Sequence, residues 1–295
     1  MSIMPATSEK ASPADGTVVS EDGTEIAFER SGTGPAVILV SSALADRSDT
    51  AKLAALLAGH FTVINYDRRG RGASGDGTEY AVEREIDDIA ALIGHAGGPA
   101  SVFGSSSGAV LALRAAVAGL DIHRLALYEP PFVVEGDDSG PPEGFARRID
   151  ALIAEDRRGD AVKLFMTKAQ GMPGFVVASM RLLPGVWSGL KTLAPTLPYD
   201  IAVMGDTQRG GPLIADDWSA ARARTLVLTG GRSPAGIRRA ARALAQVLPD
   251  AEHRTIGGVN HGAVVMAPRR LAPGLIEFFE GRSPAGEVLW VEPRG

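Results

Sequence analysis

Between Ser101 and Ala116 the chain reads SVFGSSSGAVLALRAA, three serines enclosed by two glycines. Gly104-Ser105-Ser106-Ser107-Gly108 fits the pattern Gly-x-Ser-x-Gly, with Ser106 at its centre. An apolar run of strand length precedes it and a helix-forming run follows. A sharp strand-to-helix turn lifts the central hydroxyl clear of the sheet in a strained conformation. It also demands small residues two positions to either side, because strand and helix nearly touch. The helix that follows points its first N–H groups at the same place, favouring negative charge that develops there. The chemistry is nucleophilic attack by Ser106, with Ser105 and Ser107 as small spacers. A flexible Ser/Gly turn or a serine N-cap satisfies the motif taken alone; the strand–helix context favours the nucleophile elbow.

A serine hydroxyl attacks when a base takes its proton, and imidazole titrates near neutrality. The chain has five histidines. His60 and His95 sit at helix ends, His123 before a strand and His253 at the start of one, so each has a structural explanation. His261, in GGVNHGAV, lies in a loop between the last strand and the last helix.

These residues need elements to hold them. TVVS and EIAFER flank the turn EDG and read as a hairpin. AVILV is an unbroken apolar run, as expected of a strand buried on both faces of a parallel sheet. Helix and strand then alternate through DTAKLAALLAG, FTVINY, VEREIDDIAALIGHAGG, ASVFG, GAVLALRAAVAG and RLALY. Such alternation predicts an α/β fold with a mostly parallel, doubly wound sheet. From Phe132 to about Asp216 the rhythm breaks into helical segments without a convincing strand. It resumes with RTLVLTGG, GIRRAARALAQVLP, EHRTIGG and PRRLAPGLIEFFEG. The expected organisation is a disordered tail at 1–15, a core at 16–131 and 217–281, an inserted helical cap at 132–216 and a C-terminal tail at 282–295. That last segment is expected as either a docked tail or an extra edge strand.

Composition narrows the partners. The 295 residues carry a net charge of −5 and no long basic run, which disfavours nucleic acid. The chain has no cysteine, which excludes disulfides, thiolate metal sites and cysteine nucleophiles. No apolar run approaches a membrane span, and the polar N-terminus lacks signal-peptide character. The expectation is a soluble, cytoplasmic protein acting on a small molecule.

YDRRGRGAS, Tyr66 to Ser74, resembles the loop Asp-x-Arg-Gly-x-Gly-x-Ser of the α/β-hydrolase superfamily. With the serine motif and the order of elements, the likeness runs from the first hairpin to Gly281. It implies the α/β-hydrolase fold, with the insertion as a lid over the site. The arginine cluster of this loop could be taken for an anion site, but it is read as a brace for the loop. The family places its general base where His261 stands. Its acid usually follows the seventh strand, where this chain has Ser233, and a serine carries no charge to steady an imidazolium. Some relatives take the acid from the end of the sixth strand, which here offers Glu129 in LALYEPP. Ser106, Glu129 and His261 then follow the order nucleophile, acid, base. Glu129 as a strand cap or arginine partner is the plainer alternative, and Asp206, Asp216 and Asp217 are fallback acids.

The resemblance also implies two oxyanion donors. One is the amide of Ser107; the other follows the first buried strand, where Ser41-Ser42 replaces the usual His-Gly and makes Ala43 the donor. Ser42, Met166, Phe175, Met180, Leu183 and Trp187 are candidate pocket residues, although the apolar ones serve equally as packing. The function expected is a serine hydrolase of a carboxylic ester, lactone or thioester with a largely apolar substrate, needing no metal or organic cofactor. A lyase, cyclase or cofactor-free C–C bond enzyme is the alternative, and a binding protein with a residual triad is a third class.

Overall fold

The computed structural model describes residues 14–136 and 140–282. Most of the expected N-terminal tail and nearly all of the C-terminal one therefore lie outside the described residues. Strand β1 (Ala14–Val19) begins two residues before the expected core boundary and pairs antiparallel with β2 (Glu25–Ser31). Then follow β3 (Ala36–Val40), α1 (Arg47–Leu57), β4 (Thr62–Tyr66), α2 (Val82–Ala96), β5 (Ala100–Ser105), α3 (Ser107–Val117) and β6 (Ile122–Tyr128).

The insertion comes next. It comprises α4 (Phe145–Ala154), α5 (Arg158–Lys168), α6 (Gly174–Met180), α7 (Pro184–Leu193), α8 (Leu197–Met204) and α9 (Ala215–Trp218). Its only strand-like pairing among the described residues is one isolated bridge, Val134 to Gly211. Strand β7 (Arg224–Gly230), α10 (Ala235–Val247), β8 (Ala251–Ile256), α11 (Ala263–Met266) and α12 (Pro268–Phe279) complete the core.

The eight strands run in the order β1-β2-β4-β3-β5-β6-β7-β8. All pairings from β4 to β8 are parallel. Strands β3 to β7 are apolar runs because both faces are covered. Leu53, Leu57, Leu271, Leu275 and Phe278 of α1 and α12 pack on one face with Val37, Leu39 and Phe103. Ile89, Leu92, Val110, Leu113 and Leu244 of α2, α3 and α10 pack on the other with Ile38, Val102 and Leu127. A third apolar cluster lies in the insertion and takes in Ala43 and Leu44 of the loop after β3. Truncating any of these buried leucines to alanine would cost about 2–5 kcal/mol.

No helix among the described residues is long and apolar enough to cross a membrane. The parallel strands all end on one side, the edge where ligands of doubly wound sheets bind. Ser41, Ser106, Glu129 and the loop bearing His261 follow β3, β5, β6 and β8 at that edge.

Candidate active site

Ser106 lies between β5 and α3 with φ 52° and ψ −123°. A non-glycine residue held there carries about 1–3 kcal/mol of strain. The surroundings impose it: the Ser106 amide donates to the Tyr128 carbonyl on β6 at 2.9 Å, while its own carbonyl receives the Ala109 amide at 2.9 Å. A Cβ added at Gly104 would collide with the Gly108 carbonyl, and one added at Gly108 would collide with the carbonyls of Ser41 and Val40. Both glycines of the motif are therefore demanded by close approach of backbones, and the loop after β3 touches this turn directly. Glu129 (φ 49°) and Leu44 (φ 54°) are also left-handed. Among the described residues these make up three of four non-glycine cases, so backbone strain is concentrated at this edge.

His261 Nε2 is 3.1 Å from Ser106 Oγ, and Nδ1 is 2.8 Å from Glu129 Oε2. An ionised carboxylate only accepts hydrogen bonds, so Nδ1 carries the proton and Nε2 is left to accept from the hydroxyl. The other carboxylate oxygen, Glu129 Oε1, accepts from the Gly230 amide at 2.6 Å and from Ser233 Oγ at 2.5 Å. Glu129 is fully buried, whereas the His261 side chain keeps about a third of its surface accessible. The serine at the usual acid position thus donates to the carboxylate that reaches His261. Tyr128 Oη donates to the Asn260 carbonyl at 2.5 Å and holds the chain just before His261.

The remaining histidines stay away from this constellation. His60 pairs with Glu280, His95 packs on Phe28 and His123 is exposed. His253 lies against Thr229, and burial lowers its pKa to about 4. Asp206 is exposed and pairs with Arg209, while Asp216 and Asp217 are exposed.

The arginines after β4 are fully buried in ion pairs, the bracing alternative of the two. Arg68 donates to both oxygens of Glu85 at 2.7 Å and to Asp200 at 2.8 Å. Arg71 Nη2 meets both oxygens of Asp200 at 2.9 Å. Ser107 Oγ donates to Asp200 at 2.8 Å. Asp200 sits on α8, wholly buried. Burial alone would raise its carboxyl, but Arg71, Arg68 and the Ser107 hydroxyl outweigh burial and hold it below the usual carboxylate range.

The candidate pocket residues separate. Phe175 is 78% exposed and Leu183 56%. Contrary to expectation they line no enclosed pocket, because α6 and the turn before α7 point them outward. Met166 is buried inside the insertion's own cluster, with Met180 and Trp187 packed against it. Trp187 also carries the Arg181 guanidinium 4.9 Å from its ring centre. Ser42 is half-buried, and its carbonyl accepts from Arg71 at 2.7 Å. Neither the Ala43 nor the Ser107 amide donates to another protein group among the described residues.

Asp200, Gly230 and the donor role of Ser233 were not foreseen. The signal for Asp200 is one acid inside the apolar stretch LPYDIAVM, a placement that requires a partner.

With this geometry in view, the comparisons place the chain. A model of the Alpha/beta hydrolase family matches residues 37–273, and the chain belongs to that family. The crystal structure of an alpha/beta hydrolase from Sphaerobacter thermophilus DSM 20745 is similar at 53% identity and a TM-score of 0.82, over 90% of this chain and 100% of that one. The uncharacterized hydrolase YraK of Bacillus subtilis (strain 168) is 30% identical over 168 residues; the match spans 55% of this chain and 60% of that protein's length. The enol-lactonase from Burkholderia xenovorans LB400 shares the fold, with a TM-score of 0.68 at 20% identity over 90% of this chain and 100% of that one.

Proposed function

We propose that this chain is a serine hydrolase of carboxylic esters, lactones or thioesters, with Ser106, His261 and Glu129 as its triad. The relay from Ser106 Oγ through His261 to Glu129, at 3.1 and 2.8 Å, is the observation that carries this reading. His261 Nε2 takes the Ser106 proton as Oγ bonds to the substrate carbonyl carbon. The carbonyl π pair moves to oxygen, and the oxyanion receives the amides of Ala43 and Ser107. The tetrahedral adduct collapses as His261 returns the proton to the departing alcohol, thiol or ring oxygen. Water, deprotonated by His261, then attacks the acyl-enzyme, releasing the acid and restoring Ser106.

Glu129 keeps Nδ1–H aimed away from the serine and stabilises the imidazolium. Its second oxygen is held by neutral donors, so the charge stays available to His261. The insertion closes over the loop after β3, where Ala43 and Leu44 join its apolar cluster, and serves as a cap. An apolar cover of this kind supports a substrate of small to medium size with a largely apolar acyl or alkyl part.

Intact mass after exposure to a fluorophosphonate probe tests the reading. One adduct is expected on the wild-type protein and none on Ser106→Ala, whose p-nitrophenyl ester turnover should drop by about 10⁵-fold or more. A folded wild-type protein that neither takes the probe nor hydrolyses a p-nitrophenyl ester would sink the reading.

A further inference from the structure

We propose that Asp200, on α8 of the insertion, is a positioning residue that orients both amides of the oxyanion hole. The inference rests on the hydrolase reading above.

The first amide is Ala43 N–H. It belongs to the same peptide unit as the Ser42 carbonyl, and that unit is planar and trans. Its C=O and N–H therefore point in opposite directions. Arg71 Nη1 donates to the Ser42 carbonyl at 2.7 Å and to the Ala45 carbonyl at 3.2 Å. Holding the carbonyl on one side fixes the aim of Ala43 N–H on the other. Arg71 is held in turn by Asp200, whose two oxygens both lie 2.9 Å from Nη2. Arg68, shared between Glu85 and Asp200, reaches the Ser41 carbonyl one peptide earlier at 3.3 Å.

The second amide belongs to Ser107, whose hydroxyl donates to Asp200 Oδ1 at 2.8 Å. One buried carboxylate thus ties down the residues that present both donors.

The charges account for this arrangement. Arg68 and Arg71 face Glu85 and Asp200, two cations against two carboxylates, all buried. Asparagine at 200 would leave Arg68 with Glu85 but would deprive Arg71 of the only carboxylate it meets among the described residues. An amide NH₂ would also face guanidinium donors it cannot satisfy. Arg71 would then have to move, and the Ser42 carbonyl with it. The rest of α8 is fastened too. Tyr199 stacks on Tyr80 at 3.8 Å, its hydroxyl donates to Asp76 at 2.9 Å, and Arg114 Nε donates to the Val203 carbonyl at 2.7 Å. The α8 end of the insertion is accordingly part of the catalytic body.

The test compares Asp200→Asn, Arg71→Lys and Ser107→Ala with the wild-type chain, using a p-nitrophenyl ester and an aliphatic trifluoromethyl ketone. The ketone forms a hemiketal oxyanion on Ser106 and so reads the donors directly. For Asp200→Asn, kcat should fall roughly 10- to 100-fold with KM within about threefold, and the ketone Ki should rise by a similar factor. Arg71→Lys should show the same split, and Ser107→Ala a milder one of about three- to tenfold. Ser107→Ala and Arg71→Lys keep the test decisive should Asp200→Asn not fold. A lowered Tm with wild-type kcat and Ki in the folded variants would overturn the proposal and leave Asp200 a fastening for α8. A wild-type chain inert to ester and ketone would remove the hydrolase reading and this inference together.

Discussion

Two fully buried carboxylates flank the strained turn that holds Ser106, and their neighbours differ in kind. Glu129 meets one imidazole, one backbone amide and one hydroxyl, all able to remain neutral. Asp200 meets two guanidinium groups that never titrate and one hydroxyl. A carboxylate that must answer a proton arriving on its partner needs an unspent charge. A carboxylate that must hold a loop still needs that charge neutralised in place. Under the proposed triad, the same acid chemistry thus yields a responsive centre at the end of β6 and a fixed one on α8.

The largest expected effect separates the two centres by size. Glu129→Gln keeps the shape but offers no charge to an imidazolium, so kcat should drop about 10³- to 10⁴-fold. Steady-state hydrolysis of a p-nitrophenyl ester reads this. A loss no larger than that of Asp200→Asn would erase the distinction drawn here.

The second prediction separates them by pH. Because Asp200 is held below its ordinary value of 3.8, it remains ionised wherever the enzyme is assayed near neutrality. Asp200→Asn should therefore lower the kcat profile between about pH 5 and 9 without moving its limbs. The stability that Asp200 contributes is present above its unfolded pKa and is lost as pH falls through its lower folded value. The Tm gap between wild type and Asp200→Asn should stay constant from about pH 8 to 5 and narrow only below about 4. A gap that closes near neutrality would break the assignment of Asp200 as a fixed charge.

The two centres also differed in how far the sequence betrayed them. Local patterns carried much of the first: glycines two positions either side of Ser106, a strand before, a helix after and a histidine in the loop beyond the last strand. Glu129 follows from the resemblance alone, since some relatives take their acid from the end of the sixth strand. The second centre joins Arg71 to a residue 129 positions away. No periodicity reports such a pairing; only an acid in an apolar stretch hints at one. The outward turn of Phe175 and Leu183 was equally hidden. Phe175 lies in a helix of 7 residues and Leu183 just before one of 10, and apolar side chains in such short segments do not by themselves say which side meets a neighbour. The arginine loop was legible as a brace, though not what it braces.

A smaller effect is expected at Ser233. Its hydroxyl is one of two neutral donors to Glu129 Oε1, and the Gly230 amide remains when it is removed. Ser233→Ala should lower kcat by about tenfold, the worth of one hydrogen bond to a charged group, with KM little changed. Ser233→Asp should do more harm than alanine, since a second carboxylate would face Glu129 at hydrogen-bond distance and the two could not both ionise. An active Ser233→Asp variant would mean that the responsive centre tolerates a like charge, against the contrast drawn here.

The smallest effect belongs to the outward face of α6 and the turn that joins it to α7. Phe175 is 78% exposed and Leu182 80%, so each makes few of the contacts that stability rests on. Phe175→Ser and Leu182→Ser should leave the urea midpoint within the equivalent of about 0.5 kcal/mol of wild type. Neither should change kcat, because no hydrogen bond or ion pair connects these side chains to the elbow. If either variant matched the kcat loss of Asp200→Asn, orientation of the oxyanion amides would depend on the whole insertion. The division between a fastened α8 and a peripheral α6–α7 would then fail, since both ends of the insertion share one apolar cluster, which holds Val177 of α6 and Leu193 of α7 together with Ala43 and Leu44.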